Sequence, residues 1–242
     1  MTFSPGSADS QPDSPESTPV DPALKDQLLA QLQSQDLGER LRAINQARPL
    51  ATEEALEVLS LGCVDSNARV RYAAVSQLGT LTLADPSRPL PLLLRMLRDD
   101  PEFDVRAAAA AALGDLKQPQ VLPELLTAYH AETEWLAQFS IIAALGELGN
   151  PDAYETLATA LRGGNELIRT AAAAALGDLA DPRAIPVLET CLDHEDWQMR
   201  YRVTLALARI GGEGTRHGLT QLALDPIEQV ATQAQQALAA LG

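Results

Sequence analysis

Cys191 and His194 stand three residues apart. That spacing sets a thiol and an imidazole on one side of a helix or just past its end, and a thiol beside a base is a nucleophile. A thiol on an apolar helix face has a second reading, as packing. Arg71, Arg106, Arg169 and Arg200 recur at one place in a repeated phrase, interrupted by Gln138. A guanidinium forks onto carboxylates, so this column is either an anion site or a ladder of ion pairs between neighbouring units. Asp115, Glu147 and Asp178, each one place after a recurring glycine, are the acids such a ladder would use.

Both tryptophans open equivalent segments, Glu134-Trp135-Leu136 and Asp196-Trp197-Gln198, with Phe103 at the same place. Four residues on come Phe139 and Tyr201, one helical turn away. Aromatic pairs at that spacing either pack onto the adjoining unit or offer a flat apolar surface to a partner. Arg202 replaces a small residue in a column that otherwise reads Ala73, Ala108, Ser140 and Ala171. With His194, Trp197, Arg200 and Tyr201 it makes its unit the most polar and aromatic of the chain. Such a set would hold an acidic cofactor or partner, or it is solvated decoration.

Other chemistries find no residues. Cys63 and Cys191 form no Cys-x-x-Cys pair, and His130, His194 and His217 form no His-x-x-x-His pair, so no metal site is expected. Gly211, Gly212 and Gly214 make a glycine-rich turn, but no Lys-Ser/Thr follows it as a phosphate loop requires. With 33 acidic against 18 basic residues, the net charge of −15 opposes nucleic-acid binding. No stretch approaches the length of an apolar membrane span, and no secretory leader is legible, which points to a cytoplasmic protein with reduced thiols.

The elements that must position these residues are repeats. The phrase reads Val70-Arg71-Tyr72-Ala73-Ala74, Val105-Arg106-Ala107-Ala108-Ala109, Ile168-Arg169-Thr170-Ala171-Ala172 and Met199-Arg200-Tyr201-Arg202-Val203. Taking Gly79 as reference, its equivalents are Arg48, Gly114, Gly146, Gly177, Ala208 and Ala239. Leucines precede most of them, and apolar columns lie four and eight residues earlier, the stripe of a helix's buried face. A second set of leucines at helical spacing, as in Ile185, Leu188 and Leu192 after Asp181-Pro182, gives each unit a first helix. The expected fold is all-α, a solenoid of about seven helical hairpins over residues 22–242. Glycine at the reference position would let helices approach closely or would take a left-handed turn. Residues 1–21, rich in Pro, Ser, Asp and Glu and without Lys or Arg, read as a disordered acidic tail.

The units resemble HEAT-like repeats of the phycobilin lyase type, in which a helix is followed by Asp-x-x-x-Val-Arg-x-Ala-Ala-x-x-x-Leu-Gly and a turn bearing Asp-Pro. Three stretches, Val70–Leu78, Glu134–Ile141 and Asp196–Arg202, are most similar to the members that take part in phycobilisome degradation. The resemblance implies a cyanobacterial, cytoplasmic protein whose partners are phycobiliprotein subunits and whose ligand would be a linear tetrapyrrole such as phycocyanobilin. Such a pigment carries two propionates and a long conjugated face, which Arg200, Arg202, Trp197 and Tyr201 suit by side-chain type. The family hands over no catalytic residue that can be placed in this sequence. Three functions therefore stand open: an adaptor that binds phycobiliproteins during antenna disassembly, a bilin lyase or bilin-detaching enzyme, and a general protein-interaction scaffold.

Overall fold

The computed structural model describes residues 23–242, so the expected acidic tail over 1–21, with Asp21 and Pro22, lies outside the described residues. Among the described residues there are fourteen α-helices and no strand. They follow one another as seven hairpins: α1 (Leu24–Gln31) with α2 (Leu37–Gln46), α3 (Thr52–Gly62) with α4 (Ala68–Leu78), α5 (Leu90–Asp99) with α6 (Phe103–Asp115), and α7 (Leu122–Ala131) with α8 (Trp135–Leu148). Then come α9 (Tyr154–Gly163) with α10 (Glu166–Leu179), α11 (Ile185–Glu189) with α12 (Trp197–Ile210), and α13 (Arg216–Leu222) with α14 (Glu228–Ala240). The long spacing between the second and third units is the connection from α4 to α5.

Short polar side chains start the second helices. Asp36, Asn67, Asn165 and Asp196 accept the backbone N–H of Glu39, Arg69, Ile168 and Gln198, satisfying donors that the first turn leaves free. The Asp-Pro start behaves a little differently from expectation. Pro119, Pro151 and Pro182 each open a three-residue 3₁₀ turn, and the α-helix begins only after it, at Leu122, Tyr154 and Ile185. The fixed φ of proline serves both geometries.

The two layers are packed unequally. Successive second helices, from α4 through α14, lie against each other along much of their length, whereas successive first helices meet at few points. A stack drawn tight on one side bends toward that side, so the second helices form the concave layer. The reference glycines draw them together. A methyl built on Gly79, Gly114, Gly146 or Gly177 would come within 2.7, 2.9, 2.6 and 2.7 Å of the Cα of Ala112, Ala144, Ala175 and Ala206 in the next unit. Close approach is therefore their role. The left-handed residue comes three places later, at Lys117, Gly149, Ala180 and Gly211, with φ of 49°, 63°, 51° and 65°.

The core is a continuous row of leucine, alanine, valine and isoleucine between hairpins, in which Ile44, Val70, Leu113, Ile141, Leu176 and Leu207 are fully buried. No hairpin has a core of its own; burial comes from stacking.

Candidate functional site

The arginine column is a ladder, and its rungs are loop residues. Arg71 forks onto Asp100 (Nε–Oδ2 2.7 Å, Nη2–Oδ1 2.8 Å), Arg106 onto Glu132 (2.7 and 2.9 Å) and Arg200 onto Asp225 (2.6 and 3.0 Å). Arg40 does the same with Asp65. Each guanidinium crosses to the turn of the following hairpin, while its remaining nitrogen donates to carbonyls of its own turn, as Arg71 does to Asp65 and Ser66. Asp65, Asp100, Glu132 and Asp225 thus tie consecutive units, and each also accepts the N–H of a residue opening the next helix. The acids first expected as partners, Asp115, Glu147 and Asp178, lie at the far end of the second helices and take no part in these rungs.

Electrostatics follow the geometry. Burial alone would raise the Asp100 carboxyl, but hydrogen bonds from Arg71 and from the Glu102 backbone hold it below its ordinary value. Arg106 depresses Glu132 and Arg200 depresses Asp225 in the same way. Buried ions of this kind are tolerated because each of the four arginines, Arg40, Arg71, Arg106 and Arg200, is paired and hydrogen-bonded.

Two consecutive rungs are changed. Gln138 stands where Gly163 offers no acid, and its side chain donates to the Glu132 carbonyl. Arg169 meets His194 at the acid position, so it turns to the Leu161 carbonyl (3.1 Å) and to Glu166 (3.4 Å). His194 does the acid's other work, its Nδ1 accepting the Asp196 N–H at 3.2 Å. Its Nε2 faces Glu166 at 3.7 Å. One of its nitrogens is thus turned to its own loop and the other to the start of α10, and Cys191 is buried with its sulfur beside the Thr190 hydroxyl. Burial also pushes the Cys63 thiol up to about 12. Among the described residues neither thiol is hydrogen-bonded to a histidine.

The exposed aromatics, outside ladder and core, gather on the concave layer. Trp135 and Trp197, the first residues of α8 and α12, are 46% and 37% exposed; Tyr72 on α4 and Phe103 on α6 are exposed as well. Phe139 and Tyr201, one turn on, are half-buried against the core. The helices alternate. One turn into each, α4, α8 and α12 carry the aromatics Tyr72, Phe139 and Tyr201, whereas α6 and α10 have Ala107 and Thr170 there, within or beside the alanine runs Ala107–Ala112 and Ala171–Ala175.

The alanine helices are consequently floors. A groove of about 520 Å³ runs over α6 between Tyr72 of α4 and Leu136 of α8. A smaller hollow of about 120 Å³ lies over α10, with Phe139 on one side and Arg202 on the other. Arg202 is exposed and makes no ion pair among the described residues; Glu147 and Asp178 share its hollow. The Glu147 carboxyl is raised by burial and then by Asp115 and Asp178, and Asp178 pairs with Arg209. Of the residues singled out by type, the structure thus brings Phe139 and Arg202 to one hollow and sets Trp135, Trp197 and Tyr201 along one layer. It commits Arg200 and His194 to the turns. Sequence reasoning passed over Tyr72, Leu136 and the alanine floor, although the six-alanine run was the signal.

No group of His, Cys, Asp and Glu suited to a metal ion occurs among the described residues, and no described helix is long and apolar enough to cross a membrane. HEAT repeats match residues 25–113, 90–177 and 154–239. Among solved structures, the complex of CpcE and CpcF of phycocyanin lyase from Nostoc sp. PCC7120 is similar with a TM-score of 0.59 at 22% identity, over 98% of this chain and 100% of that one. YibA of E. coli is similar with a TM-score of 0.57 at 15% identity, over 89% and 94%. Importin beta reaches a TM-score of 0.64 at 16% identity, over 90% of this chain and 36% of that one. No curated protein matches the sequence. At these identities the likeness is one of fold.

Proposed function

The chain belongs to the HEAT-repeat family, and from that premise we propose that it is a cytoplasmic phycobilisome-degradation factor of the non-bleaching B type, binding phycobiliprotein subunits as the light-harvesting antenna is dismantled. The observation that carries this reading is the row of exposed aromatics on the concave layer, Tyr72, Trp135 and Trp197, which neither the core nor the ladder uses. Exposed Trp and Tyr beside half-buried neighbours are the composition of binding hot spots. The likeness over its whole length to a phycocyanin lyase supports the choice of partner.

Binding, without covalent chemistry by this chain, is the form that the site favours. Both cysteines are buried, and His194 is engaged by its own loop through Nδ1 and faces Glu166 through Nε2. A bilin propionate reaching this surface would meet Arg202, since the Arg200 guanidinium is taken by Asp225.

Purified protein is titrated with chromophorylated phycocyanin and with free phycocyanobilin, following complex formation by sedimentation and the pigment by absorbance. A complex in which the bilin stays covalently attached to phycocyanin is expected. Absence of a complex with phycocyanin overturns the reading, and release or transfer of the bilin replaces the adaptor by a detaching enzyme.

A further inference from the structure

The groove over α6 has a shape and a charge that specify its occupant. Its walls are the exposed ring of Tyr72 and the half-buried Leu136, and its floor is Ala108, Ala111 and Ala112. Carboxylates stand at both ends: Glu102 and Asp104 where α6 begins, Asp115 where it stops. All three are exposed and none has an ion-pair partner among the described residues, and Arg69 is the one cation lining the groove.

Those features separate the candidates. A floor that is one continuous helix has its backbone groups bonded internally, so an extended strand would find no edge to join. An anionic ligand such as a tetrapyrrole with two propionates would meet three carboxylates against one guanidinium. A helix brings its own backbone satisfied, and alanine lets it sit at the short end of the helix-packing range, about 8 Å between axes. We propose that this groove docks an amphipathic α-helix of a partner protein, laid along α6 with its small apolar face on the alanine floor and lysine or arginine at each end. Asp104 and Asp115 are eleven positions apart on one helix, about 16 Å at 1.5 Å per residue, which sets the separation of the basic residues at about three turns. The inference concerns the form of the recognised element and stands apart from whether that element belongs to a phycobiliprotein.

The probe is a dye-labelled synthetic helix of about 20 residues, about 30 Å long and so reaching past both ends of the groove, with alanine and leucine on one face and lysine pairs about three turns apart, together with a counterpart carrying glutamate at those places. Fluorescence anisotropy reads both against the wild-type chain, Ala111→Trp, the double variant Asp104→Lys with Asp115→Lys, and Glu155→Lys on the outer layer. The substituted side chains are all exposed, and thermal unfolding followed by circular dichroism verifies the fold. The lysine helix should bind the wild type and Glu155→Lys alike and lose at least tenfold in affinity on Ala111→Trp. The double charge reversal should reject the lysine helix and accept the glutamate one. No binding of the lysine helix, or equal binding by wild type and Ala111→Trp, overturns the proposal. A wild type that binds phycocyanin but not the lysine helix would sink this inference and leave the proposed function standing. Binding of the helix without binding of phycocyanin would do the reverse.

Discussion

Gly146→Ala measures how tightly the concave layer is drawn. The added methyl would lie 2.6 Å from the Cα of Ala175 and 2.7 Å from its Cβ, and the atoms met first are backbone, which cannot swing aside. Carbon atoms at rest sit about 3.5–4.0 Å apart, so α8 and α10 would have to part by about 1 Å. Both helices are also held by their other neighbours, α6 and α12. Overpacking of this kind costs about 1–3 kcal/mol, and the better helix propensity of alanine offsets up to about 1 kcal/mol of it. A net loss of about 1–2 kcal/mol is expected. Gly163→Ala supplies the control, because a methyl there meets nothing within 4 Å. It keeps only the propensity gain, about 0.5–1 kcal/mol or less at a helix end. Urea unfolding followed by circular dichroism should move the midpoint down for Gly146→Ala and leave it level or higher for Gly163→Ala. A Gly146→Ala midpoint at or above wild type would refute close approach as the reason for glycine there.

Removing one member of a rung should be far worse than removing both. Asp100→Ala strands a guanidinium whose side chain is 11% exposed and should cost about 3–5 kcal/mol in chemical denaturation, while Arg71→Met with Asp100→Leu recovers most of it; equal losses from the two would contradict the ladder. Ala180→Gly relieves a left-handed φ of 51° and should raise stability by about 1 kcal/mol, read as a higher melting temperature. Asp100, Glu132 and Asp225 are depressed in the folded state, so the stability they add is full above the unfolded carboxylate value of about 4 and is lost as pH falls through their lower folded values. Melting temperatures should therefore drop steeply below about pH 4, and a flat profile to pH 3 would be inconsistent with paired rungs.

Seven hairpins were legible because a helix that buries one face repeats its apolar residues at three and four places, and the phrase around Arg71, Arg106, Arg169 and Arg200 set the register. That the arginines form a ladder was legible too; which acids they reach was not. Asp100 precedes Arg106 by six residues, a spacing visible in the chain, yet its carboxylate pairs with Arg71 of the preceding unit. Only the stacking of one hairpin on the next decides that. His194 was singled out as part of a polar and aromatic cluster, but its register, six residues before Arg200, is that of Asp65 and Asp100, and it takes over their loop-capping bond. The exposure of Trp135 and Trp197 could not be read from their spacing. At the matching places α6 and α10 carry Phe103, itself exposed, and Glu166, so the register alone does not fix burial; only the stacking of the helices does.

The function rests on the residues that repetition leaves over, so the most direct measurement is the affinity for chromophorylated phycocyanin of the wild type and of the double variant Trp135→Ala with Trp197→Ala, by isothermal titration calorimetry. Both rings are exposed, so the unfolding midpoint should hold. Hot-spot aromatics contribute about 2 kcal/mol or more each, which predicts binding weakened by well over tenfold. Equal affinity in the two proteins, or no binding by either, would contradict the account.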